Sequence, residues 1–194
     1  PMVTTRRLRV VYFGTPGFAV PTLRHLLESR SALDGRGSHD VVALVSQPDR
    51  PKGRGHRLVA TPTKEVALAA GIPVLQPERM KDEAFLAQIA ALSPDIGVVA
   101  AYGRLLPDQL LSIPPLGMVN VHASLLPRWR GAAPVHRAVI AGDRETGVTN
   151  MRVVRELDAG ASFKMARRAI GDDETSVEVE RGLAELGAGL LLEV

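Results

Sequence analysis

The fold class predicted by this sequence is α/β, a doubly wound and mainly parallel sheet flanked by helices. Three observations predict it. Short β-branched runs alternate with stretches of helical spacing along the whole chain. Residues 95–101 (Asp-Ile-Gly-Val-Val-Ala-Ala) form a continuous apolar run, which suits a strand covered on both faces. The first apolar run breaks at a glycine turn and passes straight into helical spacing, a strand–turn–helix opening.

In order, residues 8–13 are the opening buried strand and Gly14-Thr15-Pro16-Gly17 is its turn. That turn is either the wall of a binding cleft or a plain connection, and it lacks the G-x-G-x-x-G pattern of dinucleotide sites. Residues 18–28 have helical spacing, with Phe18, Leu23, Leu26 and Leu27 apolar. Residues 29–39 read as a long polar surface loop and 40–46 as the second parallel strand. Helices are expected at 62–70 and 82–91, with a short strand at 72–75 between them. After the 95–101 strand, residues 102–107 turn away. Residues 118–122 are the next strand, and 132–141 a helix leading into Gly142. Two further strands, 147–154 and 162–170, are joined by residues 155–160, and Thr175 caps a closing helix over 175–193.

Length and composition restrict the function classes. At 194 residues the chain is one ordinary domain with enough length for a core, and 45% hydrophobic with 23% charged residues is the balance of a soluble globular protein. The absence of cysteine excludes disulfides and thiolate metal sites and leaves the redox compartment undetermined. No apolar run approaches the roughly 18–20 residues of a membrane span, and the first residues lack the apolar core of a signal peptide. The net charge is only +3, but most cations are arginine, the residue that forks onto phosphate, and Arg50, Lys52, Arg54 and Arg57 crowd into one short stretch. Residues 190–192 continue an apolar helical pattern with no stop signal, the look of a truncated protein, and Pro1 before Met2 looks like a processing scar.

Asn120 and His122 are two apart, so a strand there puts both side chains on one face. A carboxamide beside an imidazole suits chemistry at a carbonyl, one stabilising an oxyanion and the other exchanging a proton. The plain alternative is a polar strand end with the histidine satisfied by backbone. The residues that follow are too irregular for a strand and too apolar for a solvated loop, and they hold the only tryptophan. Such a loop beyond a strand's carboxyl end is where open α/β sheets bind ligands. Asp158, before Ala-Gly, is by itself an ordinary turn residue. Residues 47–57 carry Gly and Pro that keep them out of helix and sheet, giving an exposed basic loop. It is either solvated surface or a tether for nucleic-acid phosphates.

Asn-Val-His-Ala-Ser-Leu-Leu-Pro-Arg-Trp-Arg-Gly-Ala-Ala-Pro at 120–134 resembles the signature loop of the folate-dependent formyltransferases. Leu-Asp-Ala-Gly at 157–160 resembles that family's Leu-Asp-x-Gly turn. Pro-Asp-Arg-Pro-Lys-Gly-Arg-Gly at 48–55 is similar to the loop by which the branch acting on methionyl-tRNA engages the acceptor end. The resemblance implies a Rossmann-like formyltransferase architecture and transfer of the formyl group of 10-formyltetrahydrofolate to the amino group of initiator methionyl-tRNA. It implies Asn120, His122 and Asp158 as catalytic residues. The folate pocket it implies contains Tyr102, Gly103, Arg104, Leu106, Ser124, Leu125, Leu126, Pro127 and Val153. Arg50, Lys52, Arg54 and Arg57 would hold tRNA, and Arg128, Trp129 and Arg130 would line the path of its end, unless Trp129 simply plugs the loop. No metal is expected, nor a membrane partner; a cytoplasmic monomer of bacterial type is, with an organellar equivalent as the alternative. Residues 1–194 would be the catalytic domain without the family's carboxy-terminal β-barrel, with weak tRNA affinity and the folate site retained.

Two alternatives remain: the same chemistry on an amino sugar nucleotide or small ribonucleotide amine, and a non-catalytic RNA-binding module. Two departures stand out. Asn150 occupies a position usually apolar in the family, where an unpartnered buried amide costs on the order of 1–3 kcal/mol. The segment Ala161-Ser162-Phe163-Lys164 is likewise unusual after the turn.

Overall fold

The computed structural model describes residues 6–29, 39–54 and 57–194. Most of the predicted loop 29–39, together with Gly55 and His56 of the basic stretch, lies outside them. β1 (Leu8–Gly14) is buried on both faces, with Val11, Tyr12 and Phe13 sealed from solvent. A 3-10 turn (Gly17–Ala19) leads into α1 (Val20–Glu28), where Pro21 occupies the first turn at no hydrogen-bond cost. There follow β2 (His39–Val45), β3 (Arg50–Lys52) and β4 (Arg57–Val59). Next come α2 (Pro62–Ala69), capped by Thr61, β5 (Val74–Leu75) and α3 (Glu83–Ala91), capped by Asp82. β6 (Ile96–Ala100), α4 (Asp108–Leu111), β7 (Met118–His122) and α5 (Pro134–Ile140) carry the chain to the site. β8 (Glu145–Arg152), β9 (Ser162–Ala169) and α6 (Ser176–Leu191) close it, α6 starting at a capping box between Thr175 and Glu178.

Seven strands form one sheet in the order β5-β2-β1-β6-β7-β8-β9. β5 through β7 run parallel, while β8 and β9 add as antiparallel strands. The chain moves outward from β1 to β2 and β5, then crosses back to β6 on the other side of β1. The reversal therefore falls between β1 and β6, whose carboxyl ends Gly14 and Ala100 are partners in register. Doubly wound sheets open a ligand crevice at this point.

Each sheet face has its own core. α1, α2, α5 and α6 cover one face through Leu23, Ala67, Val135 and Leu183 against Val10, Tyr12, Val119 and Val121. α3 and α4 cover the other through Phe85, Ile89 and Leu110 against Val11, Phe13, Val99 and Met118. Gly187 lets α6 approach β7 closely, since a Cβ there would stand 2.7 Å from Val121 Cγ1.

Three local expectations change. Residues 47–57 are not barred from sheet: β3 and β4 pair antiparallel, with Arg50 opposite Val59, Pro51 opposite Leu58 and Lys52 opposite Arg57. Proline is excluded from central strands but not from a ribbon whose outer edge needs no N–H. The helix expected at 132–141 starts at Pro134, because Ala133 is left-handed at φ 53°. The turn at 102–107 runs into the single-turn helix α4, too short to show periodicity.

Candidate active site

β7 delivers the first two groups. Val119 and Val121 point into the first core, and Asn120 and His122 alternate out of it to line a cleft of about 590 Å³ at the sheet's carboxyl edge. Asp158 reaches the same cleft from the turn after β8. Its backbone is left-handed (φ 49°), a conformation Asp tolerates better than most residues. Gly160 lies against the Arg152 carbonyl, where any Cβ would collide. This contact explains the glycine of the Leu-Asp-x-Gly turn: it lets the turn fold back onto the end of β8.

The result is a buried pair. His122 Nδ1 stands 3.7 Å from Asp158 Oδ2, with the side chains 8% and 9% exposed. Asp158 Oδ2 also accepts the Gly131 N–H at 2.8 Å. On the other side of the ring, Nε2 lies 3.0 Å from the Trp129 carbonyl. A carbonyl only accepts, so Nε2 carries the hydrogen and Nδ1 is the nitrogen presented to Asp158. The Asn120 carboxamide, half-buried at the same cleft, bonds to no other side chain or backbone group among the described residues.

The signature loop is tied down from beneath. Thr149 of β8 donates to the Ser124 carbonyl at 2.7 Å and accepts from the Leu126 N–H at 3.2 Å; Ser124 donates to the Arg128 carbonyl at 2.7 Å. Asp143 accepts from Trp129 Nε1 at 2.8 Å and from Arg128 Nη2 at 2.6 Å. The Arg128 guanidinium also lies 4.5 Å over the Trp129 ring. These bonds, Arg128's first, hold the Asp143 carboxyl below the usual carboxylate range. Trp129 is thus anchored in the loop, whereas Arg130 is exposed. Left-handed backbone at Ala101, Trp129, Ala133 and Asp158 gathers around this one cleft, as strain does at functional sites.

Of the expected folate residues, Tyr102, Gly103 and Arg104 line the cleft. Tyr102 does so by backbone: its ring packs edge-on to Phe13 at 5.6 Å, and burial pushes its hydroxyl up to about 12. Arg104 braces the Pro77 and Glu78 carbonyls at 3.1 and 2.9 Å. Leu106 and Val153 pack against the second core, and Ser124, Leu125, Leu126 and Pro127 belong to the supporting loop rather than to the cleft lining.

A second cavity of about 740 Å³ opens beside the first and shares Ala101, Tyr102 and Gly103 as its wall. Thr15, Pro16, Gln47, Arg50 and Lys52 line it, so the Gly14-Thr15-Pro16-Gly17 turn is a cleft wall. Arg54 and Arg57 are exposed on the ribbon outside it. Gln47 and Asp143 carry no sequence signal of their own, since their partners lie far along the chain. Among the described residues no group of three or more His, Asp or Glu is placed to hold a metal ion, and no helix is long and apolar enough to cross a membrane.

A doubly wound α/β domain with amide, imidazole and carboxylate on one cleft at the carboxyl edge of its sheet has the groups that chemistry at a carbonyl uses. The particular family follows from comparison. A family model described as formyl transferase matches residues 8–194, and the chain belongs to that family. It is 52% identical over 186 residues to a methionyl-tRNA formyltransferase of Methylobacillus flagellatus and 49% identical over 187 residues to one of Methylococcus capsulatus. Those matches cover 96% of this chain and 58% of each relative, so the chain spans little more than half their length. The fold matches glycinamide ribonucleotide transformylase 1 of Symbiobacterium toebii with a TM-score of 0.78 at 20% identity, covering 96% of this chain and 85% of that one.

Proposed function

We propose that this domain transfers the formyl group of 10-formyltetrahydrofolate to the amino group of initiator methionyl-tRNA, in cytoplasmic protein synthesis. The observation that carries this reading is the buried His122–Asp158 pair on the cleft that Asn120 also lines. The likeness to methionyl-tRNA formyltransferases along nearly the whole chain supports the acceptor. The adjoining cavity, lined by Arg50 and Lys52, supports it too.

The cleft fits a folate in size, since small-molecule sites run to about 300–1,000 Å³, and in chemistry, with apolar walls and open backbone at Tyr102 and Gly103. When bound, the donor supplies a formyl group on a folate nitrogen. Asn120 turns its amide N–H to the formyl oxygen and stabilises charge there. His122, oriented by Trp129, presents Nδ1, and a proton held there is shared between Asp158 and the reacting centre. Asp158 fixes the imidazole and takes the proton that the attacking amine gives up as the new C–N bond forms. The bond between the formyl carbon and the folate nitrogen then breaks, and that nitrogen leaves with the proton passed on from the His122–Asp158 pair. Adjacent cavities hold the two substrates side by side, which removes much of the entropic barrier.

Calorimetry with 5-formyltetrahydrofolate, and formylation assays offering charged initiator tRNA beside an amino sugar nucleotide, test the reading. It predicts folate binding, transfer to the tRNA, and loss of at least about a hundredfold in kcat in His122→Ala. Transfer only to the small amine would end the tRNA assignment. RNA binding without folate binding would leave a non-catalytic module.

A further inference from the structure

The wall between the two cavities is braced by one side chain that the catalytic scheme does not use. Gln47 donates from Nε2 to the Tyr102 carbonyl at 2.8 Å and accepts at Oε1 from Arg50 Nη2 at 3.2 Å. Its backbone is fixed as well: the N–H donates to Thr15 Oγ1 at 3.2 Å and the carbonyl accepts from Gln76 Nε2 at 3.1 Å. Gln76 is held in turn by Asp49 Oδ1 at 2.7 Å and Lys64 Nζ at 3.0 Å. Lys64, 2.6 Å from Asp49 Oδ2, closes that network and keeps the Asp49 carboxyl below its usual range.

Across the wall, Gly103 is left-handed at φ 83°, and the Gln47 amide fills the space a Cβ would enter, 2.6 Å away. A carboxamide is the one side-chain group of this length that donates at one end and accepts at the other without charge. Glutamate would set a carboxylate oxygen against the Tyr102 carbonyl. Arg50 is exposed at the root of the ribbon, and its bond to Gln47 is to a neutral acceptor. A phosphate binds a guanidinium more strongly than a neutral amide does.

We infer that Gln47 is a positioning residue for formyl transfer. It holds the Tyr102 and Gly103 backbone as the wall common to donor cleft and acceptor cavity, and it yields Arg50 when an RNA phosphate draws that guanidinium away. The second half rests on the tRNA reading above; the first does not.

Gln47→Glu and Gln47→Asn in this chain test it, through kcat and KM with charged initiator tRNA and through the affinity for 5-formyltetrahydrofolate by calorimetry. Asparagine keeps the neutral amide but is one methylene too short to span both partners, so it serves if glutamate disrupts folding. Loss of the bond to Tyr102 predicts about tenfold weaker folate binding and about tenfold lower kcat in both variants. KM for tRNA should stay within about twofold in Gln47→Asn but rise in Gln47→Glu, whose carboxylate competes with phosphate for Arg50. Arg50→Ala predicts the opposite split, with KM for tRNA rising about tenfold. Wild-type kcat and folate affinity in both Gln47 variants, with only thermal stability lowered, overturns the proposal. If the wild type formylates no tRNA, the acceptor reading and the Arg50 half fail, while the folate affinities still decide whether Gln47 positions the wall.

Discussion

The signature loop and the basic ribbon are both made of residues that form no long element, yet they are built in opposite ways. The loop is stitched to β8 by Thr149 and to the turn between α5 and β8 by Asp143, is closed on itself by Ser124, and carries left-handed backbone at Trp129 and Ala133. The ribbon consists of two three-residue strands whose side chains all face solvent, and Lys52, Arg54 and Arg57 have no ion-pair partner among the described residues. The difference matches the task proposed for each. Groups acting on a reacting carbon need fixed rotamers and supported hydrogen bonds, whereas phosphate capture needs charge that is not already neutralised.

That contrast breaks first at Asn120. Asn120→Ala should lower kcat by about a hundredfold or more, as loss of an oxyanion donor does, with 5-formyltetrahydrofolate affinity changing little by calorimetry. Replacing Arg50, Lys52 and Arg57 together by alanine should raise KM for tRNA by about tenfold or more and flatten its salt dependence. In urea the same variant should unfold within about 0.5 kcal/mol of wild type.

Thr149→Val should behave in the opposite sense in urea. It keeps the shape and removes the hydroxyl that ties Ser124 and Leu126, costing about 1–3 kcal/mol. The neighbouring residue sharpens the comparison. Asn150 is fully buried and neither its Nδ2 nor its Oδ1 has a partner among the described residues, so Asn150→Leu should stabilise the fold by about 1 kcal/mol in the same titration.

The smallest effect is optical. Asp143, held below the usual carboxylate range by Arg128 and Trp129, favours the folded loop above the pH at which an unfolded Asp titrates. That contribution fades only as pH falls through its lowered value. Emission from Trp129, the only tryptophan, should therefore stay constant from neutral pH down through the ordinary carboxylate range and shift below it.

Much of this design is legible in the sequence wherever signals are local. The strand at 118–122 coincides with β7, because the apolar run that begins at Met118 and Val119 carries through Val121. The apolar run at 95–101 is indeed a strand covered on both faces. What escapes is what depends on distant partners. Nothing near Asp143 foretells that it anchors Trp129, and nothing near Gln47 foretells its bond to Tyr102. The ribbon escapes for another reason: Pro51 argues against a strand until the edge is known to be free. The mismatch at Asn150 is visible through the resemblance, as an amide where the family usually has an apolar residue, and the structure gives it no partner among the described residues.

The most direct test of the account is a double-mutant cycle on single-turnover formyl transfer, with His122→Ala, Asp158→Ala and both together. If imidazole and carboxylate act as one unit on a single carbon, the double variant should be about as slow as the slower single one. Losses that simply multiply would mean that the two groups act independently, and the central claim would fail.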